Sequence, residues 1–177
     1  MNIRPAKKED AEPIALLHAE SWRVAYRGIF RDEFLAGDVV QDRINVWRQR
    51  FATPKQNQMV LVAEESQELS GFVCAFGNED QKWGTFIDNL HVRKSNSRQG
   101  IGKRLMSEIA RWSHQYYPNA GLYLNVLEAN IAARRFYAAL GATNQAARLW
   151  EPPGGGELVE LHYVWLSLDS LLPTNNG

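Results

Sequence analysis

The segment Leu90-His-Val-Arg-Lys-Ser-Asn-Ser-Arg-Gln-Gly-Ile-Gly-Lys-Arg-Leu105 has the make-up of an anion-binding turn. An apolar run passes through Gly100-Ile-Gly102 into residues of helical periodicity, which predicts a strand, a tight turn and a helix N-terminus. Glycines there would let a phosphate approach the backbone. The free N–H groups of the first turn, with about half a unit of positive dipole charge, would point at it. Arg98, Lys103 and Arg104 add local charge. A Gly-x-Gly turn serves equally as a plain strand-to-helix connection, so this segment alone leaves both readings open. Other phosphate motifs do not fit. Ser97 stands where a P-loop needs glycine, Arg104 where it needs Ser or Thr, and Leu105 where a dinucleotide fingerprint needs its third glycine.

Other chemistries find little support. The four histidines, His18, His91, His114 and His162, include no i, i+4 metal-ligand pair, and His114 and His162 show no partner. No Gly-x-Ser-x-Gly elbow occurs, and the single cysteine, Cys74, lies in the apolar run Gly71–Phe76 with no sign of activation. One cysteine also excludes a disulfide framework and a Cys-based zinc site, which fits a reducing cytoplasm.

The elements that must position the turn follow from periodicity. A short strand at 2–4 precedes Asp10, a plausible cap, and a first helix with Ile14, Leu17 and Trp22 on one face. Val40, Ile44, Trp47 and Phe51 predict a second helix ended by Thr53-Pro54. Met59–Ala63 and Leu69–Phe76 read as a hairpin of buried strands, and 83–92 as a third strand leading into a helix from Gly100 whose face is Ile101, Leu105, Ile109 and Trp112. Gly121–Leu127 is a strand, Asn130 caps a helix to Leu140 that Gly141 stops, and Leu158–Leu166 is the last strand. This is a mixed α/β sheet with helices on both faces, one domain over about 1–170, and a flexible tail at 171–177.

Hydrophobic residues make up 45% of the 177, and 20 Lys+Arg balance 20 Asp+Glu, so the chain folds and bulk charge draws it to neither nucleic acid nor an anionic membrane. The charged start and the lack of roughly 18 consecutive apolar residues read as a soluble protein without leader or spanning helix.

Two segments in this element order resemble the GNAT superfamily of acyl-CoA-dependent N-acetyltransferases. Its pyrophosphate loop, Gln/Arg-x-x-Gly-x-Gly/Ala, is similar to Ser97-Arg-Gln-Gly-Ile-Gly102, with Ser97 departing from the pattern and Arg98 beside it. Its Asn-x-x-Ala-x-x-x-Tyr stretch matches Asn130–Tyr137. The resemblance implies a mostly antiparallel twisted sheet of about six or seven strands with one splayed parallel pair, acetyl-CoA as cosubstrate and no metal. It implies that backbone groups of Leu90, His91 and Val92 hold the pantetheine as a pseudo-strand, that Arg98, Gln99, Gly100, Ile101, Gly102 and Lys103 hold the pyrophosphate, and that Asn130 contacts the pantetheine arm.

By the same resemblance Tyr137 is the acid for the leaving thiolate, since a phenol of pKa about 10 stays protonated at neutral pH. At helical spacing from Ala133 and Leu140, plain core packing is its alternative. Asp88, in mid-strand beside the cofactor edge, is the leading general base, with Glu79, Glu128 or a water relay behind it, and His18 and His91 are possible relays. Trp22, Tyr26 and Trp47 lie where the family builds its acceptor pocket, although Trp47 has core spacing. Arg23 and Arg27 would favour an acidic acceptor if they face inward. Asn125 replaces the glutamate of bacterial protein N-terminal acetyltransferases, which argues against a ribosomal-protein-like substrate. The expected function is acetyl transfer to a primary amine of a small molecule by direct attack. A non-catalytic acyl-CoA-binding module and a protein or peptide acetyltransferase are the alternatives. A homodimer is compatible with it.

Overall fold

A computed structural model describes residues 1–172. Four helices and seven strands alternate as β1 (Asn2–Pro5), α1 (Ala11–Ala25), α2 (Val39–Ala52), β2 (Gln58–Glu65), β3 (Glu68–Asp80), β4 (Gly84–Val92), α3 (Ile101–Tyr116), β5 (Leu122–Leu127), α4 (Ile131–Ala139), β6 (Thr143–Trp150) and β7 (Leu158–Trp165). The strands form one sheet in the order β1-β2-β3-β4-β5-β7-β6. Every neighbouring pair is antiparallel except β4–β5.

The apolar runs of β2 and β3 are continuous because both faces of these strands are covered. Val60, Val62, Phe72, Cys74 and Phe76 turn to one face, where Ile14, Leu17 and Trp47 of α1 and α2 close over them. Leu61, Ala63, Val73 and Ala75 turn to the other, where Ile101, Leu105 and Ile109 of α3 pack. A third cluster, including Trp22, Phe30, Phe34 and Leu127, ties the α1–α2 connection to the far end of the sheet. Asp10 does not cap α1 with its side chain; it accepts from the Lys7 N–H at 2.7 Å and pairs with Arg4 at 2.7 Å, pinning the helix start to β1.

The parallel pair matters most for function. β4 and β5 are in register only at Thr85↔Leu122 and Phe86↔Tyr123. Their closed end needs glycine: a Cβ on Gly84 would lie 2.4 Å from the Gly121 carbonyl oxygen, and one on Gly121 would lie 2.6 Å from that of Trp165. Beyond Phe86 the strands diverge, so the inner edge of β4 carries backbone groups with no strand partner, which sheets leave open only where something else covers them. Asp88 is an extra residue on β4, because Cys74 pairs with Asn89 and Ala75 with Ile87. This bulge bends the strand at the mouth of the wedge.

β6 is absent from the sequence expectation. Its residues are almost all exposed, and it is held to β7 by backbone pairing at the sheet edge, so no apolar alternation announces it. The packed chain also runs past residue 170: Leu168 and Leu171 are buried in the α3-side core. The remainder of the expected tail, 173–177, lies outside the described residues.

Candidate active site

A cleft of about 510 Å³ opens in the β4–β5 wedge. One wall is β4 from Phe86 to Val92 and the other is β5 from Leu124 to Leu127, with α1 and α2 above and α4 below. Leu90, His91, Val92, Asn130, Tyr137, Asp88, Trp22 and Tyr26, all singled out in the sequence, line this one space. Residues 98–103 follow directly from the end of β4 but are not part of the lining.

The turn into α3 is built as a nest. Arg98 (φ 64°) and Gly100 (φ 77°) are both left-handed, which curls the backbone N–H groups inward, and Gly100 is the residue before the first helical turn. Nothing within 4 Å would meet a Cβ on Gly100, so its backbone angle is what demands glycine. Gly102 has a packing reason as well: a Cβ there would meet Phe136 Cζ at 3.2 Å, so this glycine seats α3 against α4. Ser97 donates its hydroxyl to the Lys94 carbonyl oxygen at 2.7 Å, closing the preceding turn. Free N–H groups of a first helical turn, a left-handed nest and basic side chains fit a pyrophosphate, and the unpaired β4 edge fits an amide-bearing arm.

Asn130 accepts the Ala133 N–H at 3.1 Å and so caps α4. Tyr137 projects from that helix with its ring in the core, edge-on to Trp165 at 6.0 Å, and only 9% of the residue is exposed. Its hydroxyl has no hydrogen-bond partner among the described residues, and burial pushes the phenol up. Core packing and a place on the cleft floor are thus both true of it. Tyr26 stacks on Phe30 at 4.6 Å, and burial raises its phenol to about 12 with Asn130 opposing.

Asp88 is not the unpaired carboxylate that the sequence suggests. Its Oδ2 lies 2.5 Å from Arg50 Nη2 at an angle outside hydrogen-bond geometry, while Arg50 Nη1 donates to Asn89 Oδ1 at 2.8 Å. The other candidate carboxylates stand elsewhere: Glu79 is occupied by Lys55 and Asn57, and Glu128 is exposed outside the cleft. A carboxylate the sequence did not single out, Glu160, lines the cleft and pairs with Arg148 at 2.9 Å. Arg23 and Arg27 are absent from the cleft; Arg23 donates to the Leu35 carbonyl oxygen at 2.7 Å. The cleft's arginines are instead Arg43 and Arg50 of α2 and Arg148 of β6. Trp47 is fully buried in the core.

Two of the histidines form a relay-like pair, His18 fully buried and His91 part-buried on the cleft wall. Trp47 Nε1–H donates to His18 Nδ1 at 3.0 Å, so the neutral ring carries its proton on Nε2, which has no partner. The His91 ring lies 4.4 Å from it, and His91 Nδ1 meets Ser21 Oγ at 2.8 Å. Burial, and next the Arg43 charge, push His91 down to about 3, and burial holds His18 well below the usual range. His162 does have a partner: its Nδ1 meets Asn125 Oδ1 at 3.0 Å.

The model of the Acetyltransferase (GNAT) family matches residues 19–142, which span the wedge, the turn and α4. The chain belongs to the GNAT family. It is 25% identical over 174 residues to the uncharacterized N-acetyltransferase YuaI of Bacillus subtilis, covering 97% of this chain and 96% of that one. It is 30% identical over 138 residues to the probable N-acetyltransferase Rv2775 of Mycobacterium tuberculosis, covering 77% and 76%. The fold is shared with the PaiA N-acetyltransferase of Thermoplasma acidophilum, crystallised with coenzyme A (TM-score 0.71, 20% identity, 90% of this chain and 96% of that one). As a GNAT protein the chain is an acetyl-CoA-dependent acyltransferase. No described helix is long and apolar enough to cross a membrane, and the described residues hold no group of three or more His, Cys, Asp or Glu side chains arranged to take a metal.

Proposed function

We propose that the chain moves the acetyl group of acetyl-CoA onto a primary amine of a small molecule by direct attack within the wedge. The observation that carries this reading is the unpartnered inner edge of β4, from Ile87 to Val92, facing a Tyr137 hydroxyl that no protein group engages. Bound acetyl-CoA supplies a thioester whose C–S bond breaks as the amine nitrogen takes the acetyl carbon. The backbone of Leu90, His91 and Val92 pairs with the pantetheine amides and excludes water from that edge, and the nest from Arg98 to Lys103 holds the pyrophosphate.

Tyr137 holds a proton on its hydroxyl for the departing sulfur, which a buried, protonated phenol can give as charge develops. Asp88 keeps Oδ1 without a partner among the described residues, and that oxygen takes the proton from the amine while Arg50 fixes the carboxylate's orientation. Trp22 and Tyr26 form the acceptor wall. The test is thiol release from acetyl-CoA against a broad amine panel, alongside calorimetric binding of CoA. Tight CoA binding with no turnover on any amine would replace this reading with a binding module.

A further inference from the structure

The acceptor end of the cleft holds a charge that the protein answers on one side only. Arg43 is 8% exposed, and its guanidinium carbon lies 4.2 Å from the centroid of the Trp22 ring. Its Nε and Nη2 converge on a single oxygen, Asp42 Oδ2. Nη1 has no partner among the described residues, and the side chain lines the cleft, whereas Asp42 does not. A guanidinium offers five N–H donors in a rigid planar fork, matched to the two oxygens of a carboxylate.

The lining as a whole has three guanidinium groups, Arg43, Arg50 and Arg148, against two carboxylates, Asp88 and Glu160. Arg50 is engaged by Asp88 and Asn89, and Arg148 by Glu160. Arg43 alone of the three is answered by a carboxylate outside the lining, Asp42, and its Nη1 donors are left without a protein partner among the described residues. The same charge helps keep the neighbouring His91 neutral, as a positive potential in the pocket would. Beside it Phe30 and Trp150 line an aromatic wall.

Resting on the transfer reading above, we propose that the acceptor is a small primary amine carrying its own carboxylate, which binds the open edge of the Arg43 guanidinium while its apolar part lies against the aromatic wall. The ion pair would fix the acceptor by one end and leave the amine free to face the wedge. A cation nearby also favours the neutral form of the amine, the form that attacks.

Matched trios test this: L-phenylalanine with its amide and phenethylamine, L-leucine with its amide and 3-methylbutylamine, and β-alanine with its amide and ethylamine. Thiol release with acetyl-CoA is measured for each, and each is titrated by calorimetry into the CoA-saturated protein. The best-used trio is expected to favour the acid at least tenfold in kcat/KM over its amide. Arg43→Gln, which keeps a side chain able to lie on Trp22, is expected to reduce that preference about tenfold or more, with CoA affinity unchanged as the check on folding. Amides or plain amines used as well as the acids would overturn the proposal while leaving amine acetylation standing. No turnover of any member, with acids still binding in preference to amides through Arg43, would overturn the transfer reading and leave the carboxylate site standing. No acid preference in either measurement overturns the proposal, and the wild-type comparison decides it even if Arg43→Gln fails to fold.

Discussion

Removing one oxygen from Tyr137 separates its two roles, since the ring belongs to the core and the hydroxyl to the cleft. General acids act in the transition state, so Tyr137→Phe should leave KM for acetyl-CoA unchanged and lower kcat by something like 10² to 10⁴-fold. The stability change should be about 1 kcal/mol or less, because no protein hydrogen bond is lost. A lowered melting temperature with intact kcat would remove Tyr137 from the chemistry. Because burial pushes the phenol up, the rate should not decline below pH 10 on its account. Asp88→Asn makes a second, independent case. If Oδ1 takes the amine's proton, kcat/KM should fall by about 10² or more near neutrality. The deficit should shrink as the pH approaches the amine's own pKa, where deprotonation needs no help. A deficit constant with pH would make Asp88 a structural partner of Arg50 instead.

At the scale of elements, the turn into α3 allows a paired prediction on two glycines. Gly102→Val would drive side-chain atoms into Phe136 and Val92, an overpacking that typically costs about 1–3 kcal/mol, so stability and CoA affinity should fall together. Gly100→Ala meets no atom within 4 Å and strains only a backbone held at φ 77°, at a cost of about 1 kcal/mol. Its effect should appear chiefly in CoA binding measured by calorimetry, through the displaced nest. Equal melting temperatures for the two variants would contradict the packing role of Gly102. The same elements show what a sequence can disclose. The runs of β2 and β3, the face of α3 and the Asn130 cap were readable because burial on both faces, helical period and capping chemistry each leave a local mark. β6 left none, because an exposed edge strand is held by its neighbour's backbone. Arg43, Arg50 and Glu160 were missed for a related reason: each looks like a solvated charge on its own element, and only the crossing of α2 and β7 over the wedge turns it into the cleft.

For the whole molecule, equal numbers of acidic and basic side chains mean that bulk charge contributes little to pH dependence near neutrality, so a few placed groups decide it. His18 and His91 are held neutral under α1 and α2, both chiefly by burial, His91 with a folded value of about 3. Burial holds His162 down as well. For each, the folded value lies below the unfolded one of about 6.5. The unfolded chain therefore binds protons that the folded chain does not, and the stabilising contribution is intact above about pH 6.5 and lost as the pH falls. His91, with its folded value of about 3, contributes a slope approaching about 1.4 kcal/mol per pH unit below about pH 5.5, and His18 and His162 act in the same direction. Asp10, held below the ordinary carboxylate range chiefly by its hydrogen bonds from Arg4, acts in the same direction only at lower pH, where unfolded carboxylates take up protons. Urea unfolding at pH 7.5, 5.5 and 4.5 should show a steep loss of stability over the last interval. His91→Asn, which can keep a side-chain acceptor for Ser21, should be less stable at pH 7.5 yet lose about 1.4 kcal/mol less per unit in acid. Wild-type stability that stays level from pH 7.5 to 4.5 would mean that these rings take up protons in the fold, against the burial that holds them neutral.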